Sequence, residues 1–191
     1  VAIAVKDGVV IAGDRKAAYR TYVQGFMKKV FKVTERTGIA GTGIMGDMGY
    51  FVRLLQRLAF LYEMDNEKEI GVKALASLAG SLLHSRRYFP LIVECVVGGY
   101  EGDQPMVISL DLLGAQIADA FVACGTGAEP ALGTLEEEYR EDMSLEEAEK
   151  LAIRAIRASS KRDVATGFDI DLLIITREGS QEKFISQEKP V

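Results

Sequence analysis

The feature that most constrains the fold is the order in which helical and strand-like segments follow one another. Apolar residues recur at helical spacing over 48–64 and 70–88, and a second helix pair is predicted over 129–139 and 144–161. Because two consecutive helices do not form a crossover between parallel strands, the neighbouring strands should pair antiparallel. This order predicts an α+β fold, a four-layer αββα sandwich of two antiparallel sheets flanked by helix pairs.

Strand-like runs occupy most of the remaining chain, although residues 19–25 are less regular. Asp7-Gly8 between two apolar, β-branched runs is a strong hairpin signal. Ser144 and Glu147 have the spacing of a capping box, in which hydroxyl and carboxylate satisfy free amides at the start of a helix. The predicted strands are 1–5, 9–12, 26–33, 38–43, 91–99, 106–111, 116–124, 169–177 and 183–186.

The composition bounds the class of protein. The 191 residues, 48% hydrophobic and 27% charged, are typical of a globular chain and predict a single domain over 1–191. A net charge of -5 argues against nucleic acid as a partner. No apolar run approaches the roughly 20 residues of a membrane span, and no signal peptide is recognised. Cys95 and Cys124 lack CxxC spacing and are typical of buried thiols, so a cytoplasmic location is expected.

Residues 41–46, Gly-Thr-Gly-Ile-Met-Gly, match the glycine pattern of dinucleotide-binding loops. Glu63 and Asp65 follow about 20 positions later, as that pattern requires. A dinucleotide site also needs its helix to return to a parallel strand, whereas here a second helix follows. Two other interpretations remain: the glycines permit a turn and close packing, or they let a backbone N–H face a reaction centre. The single histidine, His84, is interpreted as a core-edge or subunit-contact residue, and no metal or cofactor is expected.

Some polar residues stand where a purely structural role does not require them. Asp14 ends the second predicted strand, and the alternation of a strand places Lys29 on the face opposite Lys28. One of the two lysines should therefore point inward, where a buried ammonium needs a carboxylate or loses its proton. Taken singly, Asp14 can also be explained as a turn residue and each lysine as a solvated side chain. Further polar positions in the loops 125–127 and 162–167 are Thr126, Asp163 and Thr166.

Longer motifs follow one another in a recognisable order. They are VAIAVKDGVVIAGDR at 1–15, KKVF at 28–31, GIMGD at 43–47, YFP at 88–90, VGG at 97–99, GTG at 125–127 and RDVATG at 162–167. In this order and over essentially the whole chain, the sequence resembles the β subunits of the 20S proteasome, especially those of archaeal type.

The resemblance implies an N-terminal nucleophile hydrolase of the threonine endopeptidase kind, which hydrolyses peptide bonds of unfolded proteins inside a closed chamber. In that family an N-terminal threonine hydroxyl attacks the peptide carbonyl, and its own α-amine helps to move the proton. Lys29 matches the lysine whose ammonium lowers the pKa of the nucleophile, and Asp14 matches the carboxylate that holds this lysine. Gly43 matches the glycine whose backbone N–H faces the oxyanion. The polar set around the amine is matched by Thr126, Asp163 and Thr166.

The same resemblance implies a substrate pocket. Ala17, Gly41 and Met45 stand where the family lines the pocket for the residue before the scissile bond. Two small residues and one flexible thioether predict a roomy apolar pocket and cleavage after large apolar residues. Met45 as filler of the core is the alternative.

Departures from the family concern the activity. The match aligns Val1 three positions after the catalytic threonine, and no other residue supplies a hydroxyl and a free amine together. We therefore expect the nucleophilic threonine upstream of Val1. The alternative is a catalytically silent subunit that only builds rings, although the retained Asp14, Lys29 and Asp163 favour activity. Phe168 stands after Gly167 where a second small residue is commoner, so this loop is expected to be crowded.

The family also implies partners. Seven β subunits form a ring, two rings stack back to back, rings of α subunits flank them, and an ATPase cap controls access of unfolded polypeptides. The extra N-terminal helix of α subunits is not seen in the sequence, so the inner ring is expected. The peptidase HslV is a related alternative, but the long closing segments 144–161 and 169–186 fit a β subunit better.

Overall fold

The strands assemble into two five-stranded sheets and a separate hairpin. The computed structural model describes residues 1–19 and 22–186. In chain order the strands are β1 (Ala2–Val5), β2 (Gly8–Asp14), β3 (Lys16–Tyr19), β4 (Tyr22–Phe26), β5 (Val30–Lys32), β6 (Thr37–Gly43), β7 (Val93–Glu101), β8 (Gln104–Leu110), β9 (Gln116–Asp119), β10 (Phe121–Val122), β11 (Ile170–Thr176) and β12 (Gly179–Ile185). The helices are α1 (Met45–Asn66), α2 (Val72–Ser85), α3 (Ala128–Glu138) and α4 (Leu145–Ser160).

The first sheet has the order β10-β1-β2-β11-β12 and the second the order β5-β6-β7-β8-β9. Neighbouring strands in both sheets are antiparallel, and β3 and β4 pair as a two-stranded hairpin. The prediction of antiparallel sheets is confirmed. It follows from the paired helices, since α1 and α2 together return the chain from β6 to the antiparallel neighbour β7.

The side chains of each strand divide between two hydrophobic layers, because successive residues of a strand point to opposite faces. Ile3 and Val10 pack with α3 and α4 on the outer face of the first sheet. Ala2 and Ile11, one position away, face the second sheet. The other face of the second sheet packs against α1 and α2. The result is the four-layer αββα sandwich that the sequence predicts.

The helix α4 begins as its sequence indicates. The hydroxyl of Ser144 accepts from the N–H of Glu147 at 3.2 Å, and the carboxylate of Glu147 accepts from the N–H of Ser144 at 2.7 Å. Such a capping box satisfies two amides that the first turn leaves free.

His84 lies exposed in the last turn of α2. Among residues 1–19 and 22–186, no helix has both the length and the apolar character needed to cross a bilayer.

Two predicted strands differ from the structure, and one hairpin was not predicted. The run 116–124 divides at Ala120, where β9 leaves the second sheet and β10 joins the first. The run 26–33 is interrupted at 27–29, and Phe26 instead ends β4. The hairpin of β3 and β4 was not predicted around 19–25, of which residues 20 and 21 lie outside the described part. Periodicity indicates an extended chain but not the sheet edge to which it pairs, so each difference arises from tertiary packing.

Two glycines stand where the inner faces of the sheets meet. A Cβ added to Gly98 would lie 2.8 Å from Cγ1 of Val9 and 3.1 Å from Cδ1 of Ile11. A Cβ on Gly38 would lie 2.2 Å from Cδ2 of Leu173. The separations of 2.2 and 2.8 Å are shorter than real carbon contacts, so the glycines permit the two sheets to approach as closely as they do.

Replacing Gly98 tests this close approach. We expect Gly98→Val to lower the free energy of unfolding by about 1–3 kcal/mol, because extra methyl groups overpack the space between the sheets. Gly133→Ala in α3 is the control, since a Cβ there meets nothing within 4 Å, and it should leave stability equal or raise it by up to about 1 kcal/mol. Thermal unfolding of both variants provides the measurement. Equal midpoints for Gly98→Val and the parent would contradict the packing argument.

Candidate active site

The ends of β2 and β6 flank a cavity of about 280 Å³. Val1 and the loop that precedes α3 also border it. The residues predicted from the sequence that line the cavity are Asp14, Ala17, Lys29, Gly41, Gly43, Met45, Thr126 and Thr166. Asp163 lies behind this wall, where it accepts hydrogen bonds from Thr126 and Thr166. Residues from six separate segments of the chain thus meet at one place.

Lys29 and Asp14 form an ion pair at the wall of the cavity. The ammonium of Lys29 donates to both carboxylate oxygens of Asp14, at 2.9 and 3.0 Å. The side chains are only 17% and 9% exposed. The neighbouring Lys28 instead forms an exposed ion pair with Glu182 at 2.9 Å. Removing either partner would leave the other as a largely buried, unpaired charge, which is unfavourable. The ion pair therefore holds both side chains in place.

Asp14 also fixes the backbone around it. Its Oδ2 accepts from the N–H of Lys16 at 2.9 Å and from the N–H of Gly167 at 3.1 Å. The carbonyl of Lys29 accepts from the N–H of Gly41 at 3.1 Å. The carboxylate therefore links β2 to the loop before β11, while the lysine backbone links the same point to β6.

Asp163 is the centre of a second polar group. Its Oδ2 accepts from the hydroxyl of Thr126 at 2.6 Å and from the hydroxyl of Thr166 at 2.5 Å, and its Oδ1 accepts from the N–H of Ala165 at 3.1 Å. Burial alone raises the pKa of this carboxyl, but the three hydrogen bonds and the charge of Lys29 outweigh it and lower the pKa below its usual range. Asp163 is thus a carboxylate at neutral pH.

The end of β6 requires glycine. Gly43 has a φ of 121°, and a Cβ there would lie 1.9 Å from the carbonyl oxygen of Ile92. A Cβ on Gly41 would lie 2.6 Å from Cε of Met48. The six-residue glycine pattern therefore permits close packing and a bend from β6 into α1. The following strand β7 is antiparallel to β6, so the segment does not form the parallel unit on which a dinucleotide site depends.

The apolar side of the cavity contains Ala17, Gly41 and Met45. Met45 is the first residue of α1 and is half-buried at the cavity wall. Met48, one turn further on, fills the core beneath. Of the two methionines, Met48 thus does the core packing, and Met45 is left at the surface of the cavity.

A cysteine also borders the cavity. Burial raises the pKa of the Cys124 thiol, so this residue is a thiol and not a thiolate at neutral pH. Because the thiolate is the nucleophilic form, Cys124 lacks the property that a catalytic cysteine needs. Its hydrophobic character suits a wall residue.

Three features of the site were not predicted from the sequence. Ser159 is 1% exposed in α4, and its hydroxyl donates to the carbonyl of Gly127 at 2.6 Å. Its place in the alanine- and leucine-rich stripe of α4 is a signal that could have found it. Glu94 in β7 accepts from the N–H of Gly125 at 3.3 Å, and ordinary strand alternation gives no sign of this. Lys16, a further residue of the cavity wall, lies over the ring of Phe168 at 5.5 Å.

Phe168 has a backbone conformation that bulky residues rarely adopt. Its φ is 66°, and its ring lies 4.9 Å from that of Phe26. Such a conformation costs about 1–3 kcal/mol and persists where neighbours hold it. The aromatic contact and the adjacent Gly167, bound to Asp14, provide that support. Phe168 thus keeps this conformation through contacts with neighbouring segments, and the crowding of this loop stays a prediction.

Comparison with known proteins gives one consistent result. The family described as "Proteasome subunit" matches residues 1–175. Proteasome subunit beta 1 of Thermococcus kodakarensis is 45% identical over 183 residues, covering 95% of this chain and 90% of the relative. Proteasome subunit beta 1 of Ignicoccus hospitalis is 43% identical, covering 92% and 88%. Proteasome subunit beta 2 of Pyrobaculum neutrophilum is 40% identical, covering 96% and 91%. With this coverage and the αββα sandwich of N-terminal nucleophile hydrolases, the chain belongs to the proteasome subunit family.

Proposed function

We propose that this chain is a threonine-type endopeptidase subunit of the 20S proteasome core, whose nucleophile is a threonine three positions ahead of Val1. The observation that carries the proposal is the largely buried Lys29–Asp14 pair at a cavity bordered by Val1. A lysine held by a carboxylate beside an open cavity is an arrangement that stabilises a developing alkoxide. A ring subunit without catalysis has no need of it.

The pairing at the start of β1 supports the place of the nucleophile. The nitrogen of Val1 donates to the carbonyl of Ala12 at 2.8 Å, and the nitrogen of Ala12 donates to the carbonyl of Val1 at 2.9 Å. In an antiparallel pair, residues ahead of Val1 continue beside Gly13 and then Asp14. At roughly 3.3 Å per residue, a threonine three positions earlier would lie about 10 Å from Val1 in this direction, in which Gly13 and Asp14 line the cavity.

The proposed reaction proceeds by acyl transfer. The threonine hydroxyl attacks the peptide carbonyl carbon, and its proton passes to the threonine's own α-amine, whose reference pKa near 8 suits a base. The amine then gives the proton to the leaving amide nitrogen as the carbon–nitrogen bond breaks. Water hydrolyses the resulting ester by the same proton path and restores the hydroxyl.

The residues of the chain have separate tasks in this reaction. The Lys29 ammonium stabilises the threonine oxygen as it loses its proton, and Asp14 orients the ammonium. The backbone N–H of Gly43 donates to the oxyanion, an interaction of about 3–4 kcal/mol in comparable sites. Asp163, ionised at neutral pH, and its two threonine hydroxyls orient the α-amine.

The substrate pocket is proposed from Ala17, Gly41 and Met45. Two small residues leave space, and the half-buried Met45 adds a flexible apolar wall. Cleavage after large apolar residues is the expected preference.

The assembly is proposed on the same basis. The relatives are named as β subunits of the proteasome, and we propose that this chain joins seven-membered β rings flanked by α rings in the cytoplasm. An ATPase cap would deliver unfolded polypeptides to the enclosed sites. A silent structural subunit of the same ring is the alternative that the first experiment below excludes or establishes.

The mature N-terminus gives the direct test. Intact mass and N-terminal sequencing of the protein purified from its own cells should find threonine three residues before Val1. An electrophile directed at N-terminal threonine should label that residue. A different residue at this position, without labelling, would establish the silent subunit instead.

Replacing Lys29 tests the chemistry. We expect Lys29→Ala to reduce peptide hydrolysis by about a hundredfold or more, the size typical of losing a group that stabilises developing charge. Lys28→Ala, which removes the exposed neighbour, should retain the parent rate. The double change Lys29→Met with Asp14→Asn removes both charges and avoids an unpaired buried carboxylate. Hydrolysis by this well-folded double variant at the parent rate would refute the role of Lys29.

The lowered pKa of Asp163 predicts a pH dependence of stability. Folding depresses this pKa, so the carboxylate stabilises the fold fully above its ordinary value of 3.8, and this contribution is lost as the pH falls through the folded pKa. Asp163→Asn should therefore destabilise the protein more at pH 7 than at pH 3. Asp103→Asn, in the exposed β7–β8 turn, is the control and should show no such difference. Thermal unfolding at both pH values measures it, and an equal loss for Asp163→Asn at the two pH values would contradict the prediction.

A further inference from the structure

Glu94 makes a contact that the reaction described above does not use. Its Oε2 accepts from the N–H of Gly125 at 3.3 Å. Glu94 lies in β7 directly opposite Thr42, the residue before Gly43 in β6. A single carboxylate therefore connects the strand pair that ends at Gly43 with the loop that carries Thr126.

Two side chains outside the loop 125–127 hold its backbone. The Glu94 carboxylate accepts from the N–H of Gly125 on the side of the second sheet. On the other side, the carbonyl of Gly127 accepts from the buried hydroxyl of Ser159 in α4 at 2.6 Å. The N–H of Ala128 donates to the carbonyl of Gly125 at 3.0 Å, and Gly125 itself has a φ of 91°. Glu94 thus holds the loop from the second sheet, while Ser159 holds it from α4.

The position of this loop determines whether Thr126 reaches Asp163. The hydroxyl of Thr126 donates to Asp163, which lies behind the cavity wall, at 2.6 Å. Gly125 immediately precedes Thr126, so a shift of its N–H moves the threonine as well. Glycine on both sides of Thr126 provides little backbone stiffness of its own.

The charge of Glu94 also acts at the cavity wall. Burial is the main cause of the raised pKa of the Cys124 thiol, and the Glu94 carboxylate adds to it in the same direction. The carboxylate is therefore close enough to affect the pKa of Cys124, the residue that precedes the loop.

We infer that Glu94 is a positioning residue, which holds the 125–127 loop against β7 so that the Thr126 hydroxyl stays on Asp163. Its kinetic consequence rests on the proposed peptidase function. Removing the acceptor frees the N–H of Gly125 and lets the loop leave the strand pair. The pocket residues are on other elements, so turnover should change more than substrate binding.

The same strand provides a matched control. Glu101, at the other end of β7, accepts from the N–H of Lys73 at 3.0 Å at the start of α2. It is also a half-buried glutamate that holds a backbone amide, but its amide partner Lys73 is not in the cavity wall, whereas Gly125, the partner of Glu94, is. If the loss of any such contact lowered activity, variants of Glu94 and Glu101 would be equally impaired.

The experiment uses the full chain with its own N-terminal residues, assembled with its ring partners. Glu94→Ala should lower kcat for a fluorogenic peptide by about tenfold, the effect of losing one hydrogen bond to a charged acceptor, with KM changed by less than about twofold. Glu94→Gln keeps an oxygen acceptor and should recover kcat to within about threefold of the parent. Glu101→Ala should match the parent in both constants.

Hydrogen exchange supplies a readout that does not need activity. Amides of the segment 123–128 should exchange faster in Glu94→Ala than in the parent, and at the parent rate in Glu101→Ala. Three outcomes would each overturn the inference, provided that the parent is active for the kinetic ones. Glu94→Ala could show the parent's exchange rates, it could show the parent's kcat, or Glu94→Gln could be as impaired as Glu94→Ala. A parent that hydrolyses no peptide would instead refute the proposed function, and the exchange rates would still decide whether Glu94 holds the loop.

Discussion

The ion pair of Lys29 and Asp14 is the interaction on which the arrangement of the site depends. Two largely buried charges are stabilised by each other and by further hydrogen bonds, and Asp14 receives such bonds from Lys16 and Gly167. The pair joins the end of β2, the segment before β5 and the loop before β11. A cluster of polar groups can therefore persist at the margin of a hydrophobic core.

Glycines have different roles between the sheets and at the cavity. Between the sheets, Gly38 and Gly98 leave no space for more than the side chains already there. At the end of β6, Gly43 has a positive φ where the chain passes into α1, and it lines the cavity. The close packing of the sheets and the backbone of the cavity wall thus both require glycine.

The pKa values of two groups at the cavity shift in opposite directions. Asp163 receives three hydrogen bonds and lies near the Lys29 charge, so its pKa falls although burial acts to raise it. The Cys124 thiol is more deeply buried, and burial raises its pKa. The site therefore holds an ionised carboxylate and a protonated thiol. Hydrogen bonds to the charged form determine the protonation state of Asp163, whereas burial determines that of Cys124.

The sequence by itself determined the layered fold, because two helices in succession do not form the crossover that joins parallel strands. It also indicated that an inward-pointing lysine requires a carboxylate partner. It could not divide 116–124 between two sheets or find the hairpin of β3 and β4, since local alternation does not specify which edge a strand joins. Strand alternation alone left open which of Lys28 and Lys29 meets a carboxylate, because residues 27–29 lie outside the strands, and the tertiary structure brings Asp14 to Lys29. Glu94 and Ser159 likewise became site residues only through contacts between segments far apart in the chain.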